Sequence, residues 1–82
     1  MRLMIAALAL ANTSCRQMTS GEITERTYNI AERNGDDTSQ LCERARRVAE
    51  AYLNDGNEEQ YKFWGLKSAT KCLNAELNRR RP

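Results

Sequence analysis

Beyond its first fifteen residues the chain alternates between stretches with helical spacing of apolar residues and short breaks rich in glycine, asparagine and aspartate. The cleanest stretch runs from Ser39 to Asn54. Leu41, Ala45, Val48 and Tyr52 recur at steps of four, three and four residues, with Cys42, Ala49 and Leu53 beside them. Glu43, Arg46, Arg47 and Glu50 take the opposite side, and Glu43 precedes Arg47 in the order that favours an ion pair on a helix. This pattern predicts an amphipathic helix, entered behind Asp37 or Thr38 as N-cap and broken at Asp55-Gly56-Asn57.

An earlier helix is predicted from Gly21 to Arg33. Thr19-Ser20-Gly21-Glu22 has capping-box form, a hydroxyl at the N-cap and a carboxylate three residues later. Its apolar stripe is thin: Ile23, Ile30 and Ala31, with Thr27 between them. Asn34-Gly35 ends it.

A third helix is predicted from Glu58 to Arg79. Asn57 is a good N-cap, and Glu58 with Glu59 puts negative charge at the positive end of the helix dipole. Here the pattern changes. Lys67, Lys71, Asn74 and Asn78 mark only a narrow polar stripe, with Phe63, Leu66, Leu73 and Leu77 to one side and Tyr61, Ala69 and Cys72 to the other. So wide an apolar arc predicts contact with more than one neighbour. Phe63 is expected in the core; Tyr61 and Trp64 flank it, either capping the core or anchoring a partner. Together the three segments predict a small all-α domain over residues 19–82.

Residues 1–15 read differently. Met1-Arg2 is a minimal positive start, Leu3 to Leu10 is an apolar run, and Ala9-Leu10-Ala11 fits the small-x-small rule for signal cleavage after Ala11. An ordinary helix is the alternative, since Leu3, Ala6, Ala7 and Leu10 share a face. But Met4, Ile5, Leu8 and Ala9 fill the other side, and a segment apolar all round has nowhere to hide on so small a domain. The segment is therefore expected to be a signal, removed on export or leaving a lipid on Cys15. Thr13-Ser14-Cys15 resembles the small residues before the lipidated cysteine of bacterial lipoproteins. Asn12 departs from the aliphatic residue usual there.

Composition narrows the chemistry. Eighty-two residues make at most one domain, and 29% charged with 40% hydrophobic is a globular balance. A net charge of +2 is too small to imply a polyanionic partner, but it is unevenly spread: residues 36–59 carry an excess of acids and residues 60–82 an excess of bases. The chain has no histidine, which removes the commonest general base and the commonest metal ligand. Three widely spaced cysteines without histidine match no structural-zinc pattern, and the acids around residues 36–59 lack the alternation of a calcium loop. A non-enzymatic protein with no cofactor is expected.

The cysteines point elsewhere. Cys42 and Cys72 lie equally far along the chain from Asn57, at the turn between the second and third helices. In an antiparallel hairpin such residues stand side by side, and both are on apolar faces. A Cys42–Cys72 disulfide is therefore expected, worth roughly 3–4 kcal/mol for a loop of about 30 residues on the chain-entropy model. Such a bridge persists in an oxidising compartment. Export and the disulfide support each other, and Cys15 is left as the odd cysteine.

In the stretch "AEAYLNDGNEEQYKFWGLKSA", residues 49–69, Ala49, Tyr52, Gly56, Asn57 and Tyr61 resemble the small, aromatic and turn positions of a single tetratricopeptide-type hairpin. Ala69 falls one residue late for that repeat, and no second copy follows. The resemblance implies two antiparallel helices and a style of packing. In layout the chain is also similar to small bacterial envelope lipoproteins, which implies a periplasmic or secreted protein, or one anchored through Cys15. The expected role is binding an unidentified protein partner. Two alternatives remain at this point. One is a cytosolic protein that binds nucleic acid through Lys67, Lys71 and Arg79 to Arg81, although no aromatic residues interleave these arginines for base stacking. The other is a small secreted inhibitor or immunity protein.

Overall fold

The computed structural model describes residues 17–80, and within them three helices and no strand: α1 Ser20–Arg33, α2 Thr38–Asn54 and α3 Glu58–Arg80. The signal-like segment with Cys15 lies outside the described residues, as do Arg81 and Pro82.

Each helix begins on a side-chain cap. The Thr19 hydroxyl accepts from the Glu22 amide at 3.2 Å, and the Glu22 carboxylate accepts from the Thr19 amide at 2.8 Å. At α2 the cap is Asp37 rather than Thr38, and Gln40 answers it reciprocally. Asn57 Oδ1 accepts from the Gln60 amide at 3.1 Å at the head of α3. Caps of this kind contribute about 1 kcal/mol each.

The two reversals share one geometry. Asp36 N–H donates to the Ala31 carbonyl at 3.1 Å and Asn57 N–H to the Tyr52 carbonyl at 2.9 Å. Gly35 (φ 83°) and Gly56 (φ 77°) take the left-handed conformation that such Schellman endings require. Both turns fold the next helix back on the last.

α2 is the central element, and both other helices pack on it. It buries Leu41, Ala45, Val48, Ala49, Ala51 and Tyr52, so the stripe read from its sequence is the inward one. Leu53 is the exception, being more than half exposed. α3 is held to α2 by the Cys42–Cys72 disulfide, whose Cα atoms are 4.6 Å apart, inside the range a bridge spans.

α1 docks on a face that keeps only Ala31 of the expected stripe. Ile23 and Ile30 are exposed, and the inward side carries Gly21, Tyr28 and Ala31. Gly21 lies against the Tyr52 ring, where an added Cβ would overlap ring carbons. Polar ties hold this docking as well. Asp55 accepts from the Gly21 amide at 2.6 Å, Tyr52 donates its hydroxyl to Glu25 at 2.7 Å, and Lys71 meets Glu32 at 3.3 Å. Tyr28 is fully buried between the helices and donates to Glu32 at 3.3 Å. Its ring meets that of Trp64 edge-on, with centroids 5.0 Å apart.

Candidate functional site

α3 has two apolar faces, and among the described residues only one of them is packed against the other helices. Trp64, Ser68 and Cys72 follow one another at four-residue steps and face α2. Trp64 is 3% exposed; Ser68 is buried and donates its hydroxyl to the Gly65 carbonyl at 2.8 Å. The Lys67 ammonium lies 4.7 Å from the Trp64 ring centroid and 5.0 Å from that of Tyr28, sealing this side with a cation over two aromatic rings. The Trp64 indole N–H has no hydrogen-bond partner among the described residues. An orphan of this kind costs about 1–3 kcal/mol, which the ring's packing has to outweigh.

Phe63, Leu66, Thr70, Leu73 and Leu77 occupy the opposite side. Their steps of three, four, three and four residues keep them within an arc of about 80° on a helix of 3.6 residues per turn. Leu66 is 74% exposed, Leu73 60%, Phe63 54% and Leu77 53%. Phe63 meets Trp64 edge-on, with centroids 5.8 Å apart.

One expectation is thereby reversed: Phe63 does not enter the core. Of the two roles open to Trp64, capping the core or anchoring a partner, its burial fits the first. The cause is the rotation of α3. Cys72 is tied to α2, and Trp64 shares the face of Cys72, so Phe63 is turned outward. Tyr61 is 38% exposed, at the margin of the packed side rather than on the outer stripe. Such a stripe is unusual for a small soluble domain, since monomers rarely expose contiguous apolar area beyond a few hundred Å².

The flanks of the stripe are charged. Glu58 and Glu59 occupy the first turn of α3, and Arg79 and Arg80 the last. Lys62 pairs with Glu58 at 3.7 Å; Glu76 pairs with Arg80 at 3.2 Å and also with Arg79. Of the cations considered for nucleic-acid binding, the four within the described residues are dispersed by these ties: Lys71 goes to Glu32 of α1, Lys67 to the aromatic rings, and Arg79 and Arg80 to Glu76.

The disulfide lies at the foot of a shallow cleft formed by α2 and the end of α3, lined by Ser39, Arg46, Ala75, Glu76 and Arg79. Among the described residues no three histidine, cysteine, aspartate or glutamate side chains gather into a metal-holding group, and no helix is long and apolar enough to cross a membrane.

Both core tyrosines hold their protons more tightly than usual. Burial first, then the charge and hydrogen bond of Glu32, push the Tyr28 hydroxyl up to about 12. Tyr52 is raised further, by burial and then by its hydrogen bond to Glu25. Each phenol is fixed as a neutral donor to a carboxylate, which suits a structural tie.

No protein-family model matches the chain, and no curated protein or solved structure matches it significantly. The outward face was half legible in the sequence. Its four apolar residues were grouped correctly, but their side of the helix was not. The signal that could have placed it is the four-residue step from Trp64 to Ser68 to Cys72, given that Cys72 must face α2.

Proposed function

We propose that this protein is a small exported, non-enzymatic factor that binds another polypeptide through the outward face of α3. The observation that carries this reading is the stripe of Phe63, Leu66, Leu73 and Leu77, more than half exposed and mounted on a helix that a disulfide fixes in rotation. A preorganised helix face lets a partner dock without the cost of ordering it, the usual logic of helix recognition.

An envelope location is part of the same proposal: the periplasm, or a membrane to which a lipid on Cys15 would hold the chain. The Cys42–Cys72 bridge supports it, because such bridges persist outside the reducing cytosol. So does the signal-like character of residues 1–15. The in-chain ties of Lys67, Lys71, Arg79 and Arg80 count against a nucleic-acid role. The likeness to a tetratricopeptide-type hairpin and to envelope lipoproteins adds a precedent in style rather than a partner.

The test is photocrosslinking in bacterial cells, with a photoreactive residue in place of Leu66 and, as control, in place of Glu50 on the exposed side of α2. A discrete polypeptide adduct from position 66 and none from position 50 is the expected result. Equal labelling at both positions, or none at either, overturns the binding role. Intact mass by cell fraction tests the location. Loss of the N-terminal segment and a gain of two hydrogens on reduction are expected, whereas a full-length product with three free thiols refutes export.

A further inference from the structure

The proposal rests on the reading of α3 as a docking face and goes on to name what docks there. We infer that the occupant is a second copy of this chain, its α3 lying antiparallel across the first about a two-fold axis beside Thr70.

Three observations carry this. The first is self-complementarity, which a two-fold interface requires because the same patch must serve both sides. The stripe is nearly palindromic about Thr70. Reversing the helix there sets Phe63 against the second copy's Leu77, Leu66 beside its Leu73, and Thr70 against its Thr70. The spacing of three and four residues is that of a coiled-coil seam, so one stripe interdigitates with the other.

Charge selects the direction. α3 is acidic in its first turn (Glu58, Glu59) and basic in its last (Arg79, Arg80). In an antiparallel pair Glu59 of one copy faces Arg80 of the other, at both ends, and Lys62 comes beside Glu76 on the same flank. A parallel pair would bring the two acidic turns together. Glu59 makes no ion pair within its own chain among the described residues, whereas Glu58 already has Lys62. Antiparallel helices also oppose their dipoles favourably.

The third observation is area. The four large side chains expose roughly 400 Å² per copy, about half of what each partner gives to a standard interface of ~1,600 Å² total. Thr70, Glu59, Arg80 and the stems of Lys62 and Lys67 border the seam and bring the contact to the lower edge of that range. α1 and α2 lie on the other side of α3, so nothing described obstructs the approach. The consequence is a reversible dimer, its contact at the small end of stable interfaces.

Sedimentation equilibrium of the purified, disulfide-intact protein from low micromolar to low millimolar concentration tests this. The expected result is a rise from monomer to dimer mass, weakened at least ten-fold by Leu66→Glu. Leu66 is 74% exposed, so the variant should fold, and an unchanged helical circular dichroism spectrum with an intact disulfide checks that it does. Glu59→Lys should weaken the dimer several-fold, and Glu59→Lys with Arg80→Glu should restore it. A monomer at every concentration, or a dimer indifferent to Leu66→Glu, overturns the proposal; failure of the paired swap to rescue overturns the antiparallel arrangement. The two readings fail separately. A monomer in the centrifuge with a heterologous adduct at position 66 in cells refutes the second copy and leaves the binding role standing. A monomer with no adduct refutes both.

Discussion

The two faces of α3 differ in make-up and do opposite things. The inner face holds one large aromatic, Trp64, with Ser68, Cys72 and Lys67 around it, and is closed by Tyr28 from α1. The outer face holds four large apolar side chains and no described neighbour covers it. By apolar content alone the outer face is the better core. It lies outside because rotation of the helix is fixed by a covalent bond and by the fit of one ring, not by the sum of hydrophobicity. In a domain this small a single constraint can therefore outweigh a whole stripe, and the stripe left over becomes available for association.

Substitutions on the two faces should separate sharply. The largest effect is expected for Trp64→Ala. It removes the ring that Tyr28 and Lys67 pack on and leaves a cavity, at about 3–5 kcal/mol, enough to unfold much of a domain this size. Urea denaturation followed by circular dichroism measures it. A loss below about 1 kcal/mol would mean that the inner face is not the core.

Next comes the bridge. Cys42→Ser with Cys72→Ser should cost about 3 kcal/mol on the chain-entropy model, visible as a lower denaturation midpoint. The variant also sharpens the comparison, because α3 is then free to rotate. If the disulfide sets the rotation, Phe63 should become more protected from solvent in hydrogen-exchange or labelling experiments and Trp64 less so. If packing alone sets it, the two should keep their places.

Alkaline pH attacks the inner face without mutation. Tyr28 keeps its proton up to about 12 in the fold, against roughly 10 in an unfolded chain. Above the lower value the unfolded state releases protons that the native state holds, so stability should be complete below pH ~10 and fall as pH rises toward about 12. Tyr52, raised for the same kind of reason, steepens the fall. Thermal midpoints across this range, with tyrosinate absorbance as the titration signal, check the sign. Midpoints that hold steady through the window would rule the tyrosine ties out.

The smallest effect on stability is expected outside. Leu66→Ser should change the unfolding free energy by no more than about 0.5 kcal/mol, as for exposed positions generally, while weakening association. A loss comparable to that of Trp64→Ala would show that the stripe is covered within the chain.

α2 was the most legible element, for a definite reason. Its stripe is one-sided, so periodicity alone decides which face is buried, and only Leu53 at its edge escapes. α1 was legible in its ends but not in its face. Its inward side pairs Tyr28 and Ala31 with Glu25 and Glu32, acids that are satisfied by a tyrosine hydroxyl from α2, by Tyr28 itself and by Lys71 of α3. A hydrophobic count discards such a face, because its polar groups gain partners only once the other helices arrive. Gly21 is missed likewise: it matters through the Tyr52 ring laid against it.

The sequence by itself determined where the helices begin and end, since caps and left-handed glycines act within a few residues of one another. It also determined the hairpin and its disulfide, because equal distance from a turn is a property of chain length. Only the tertiary structure decided which side of α3 faces α2, and how Tyr28 enters between the helices. Those choices depend on contacts between residues far apart in the chain, and local periodicity, which favours the more apolar outer stripe, does not register them.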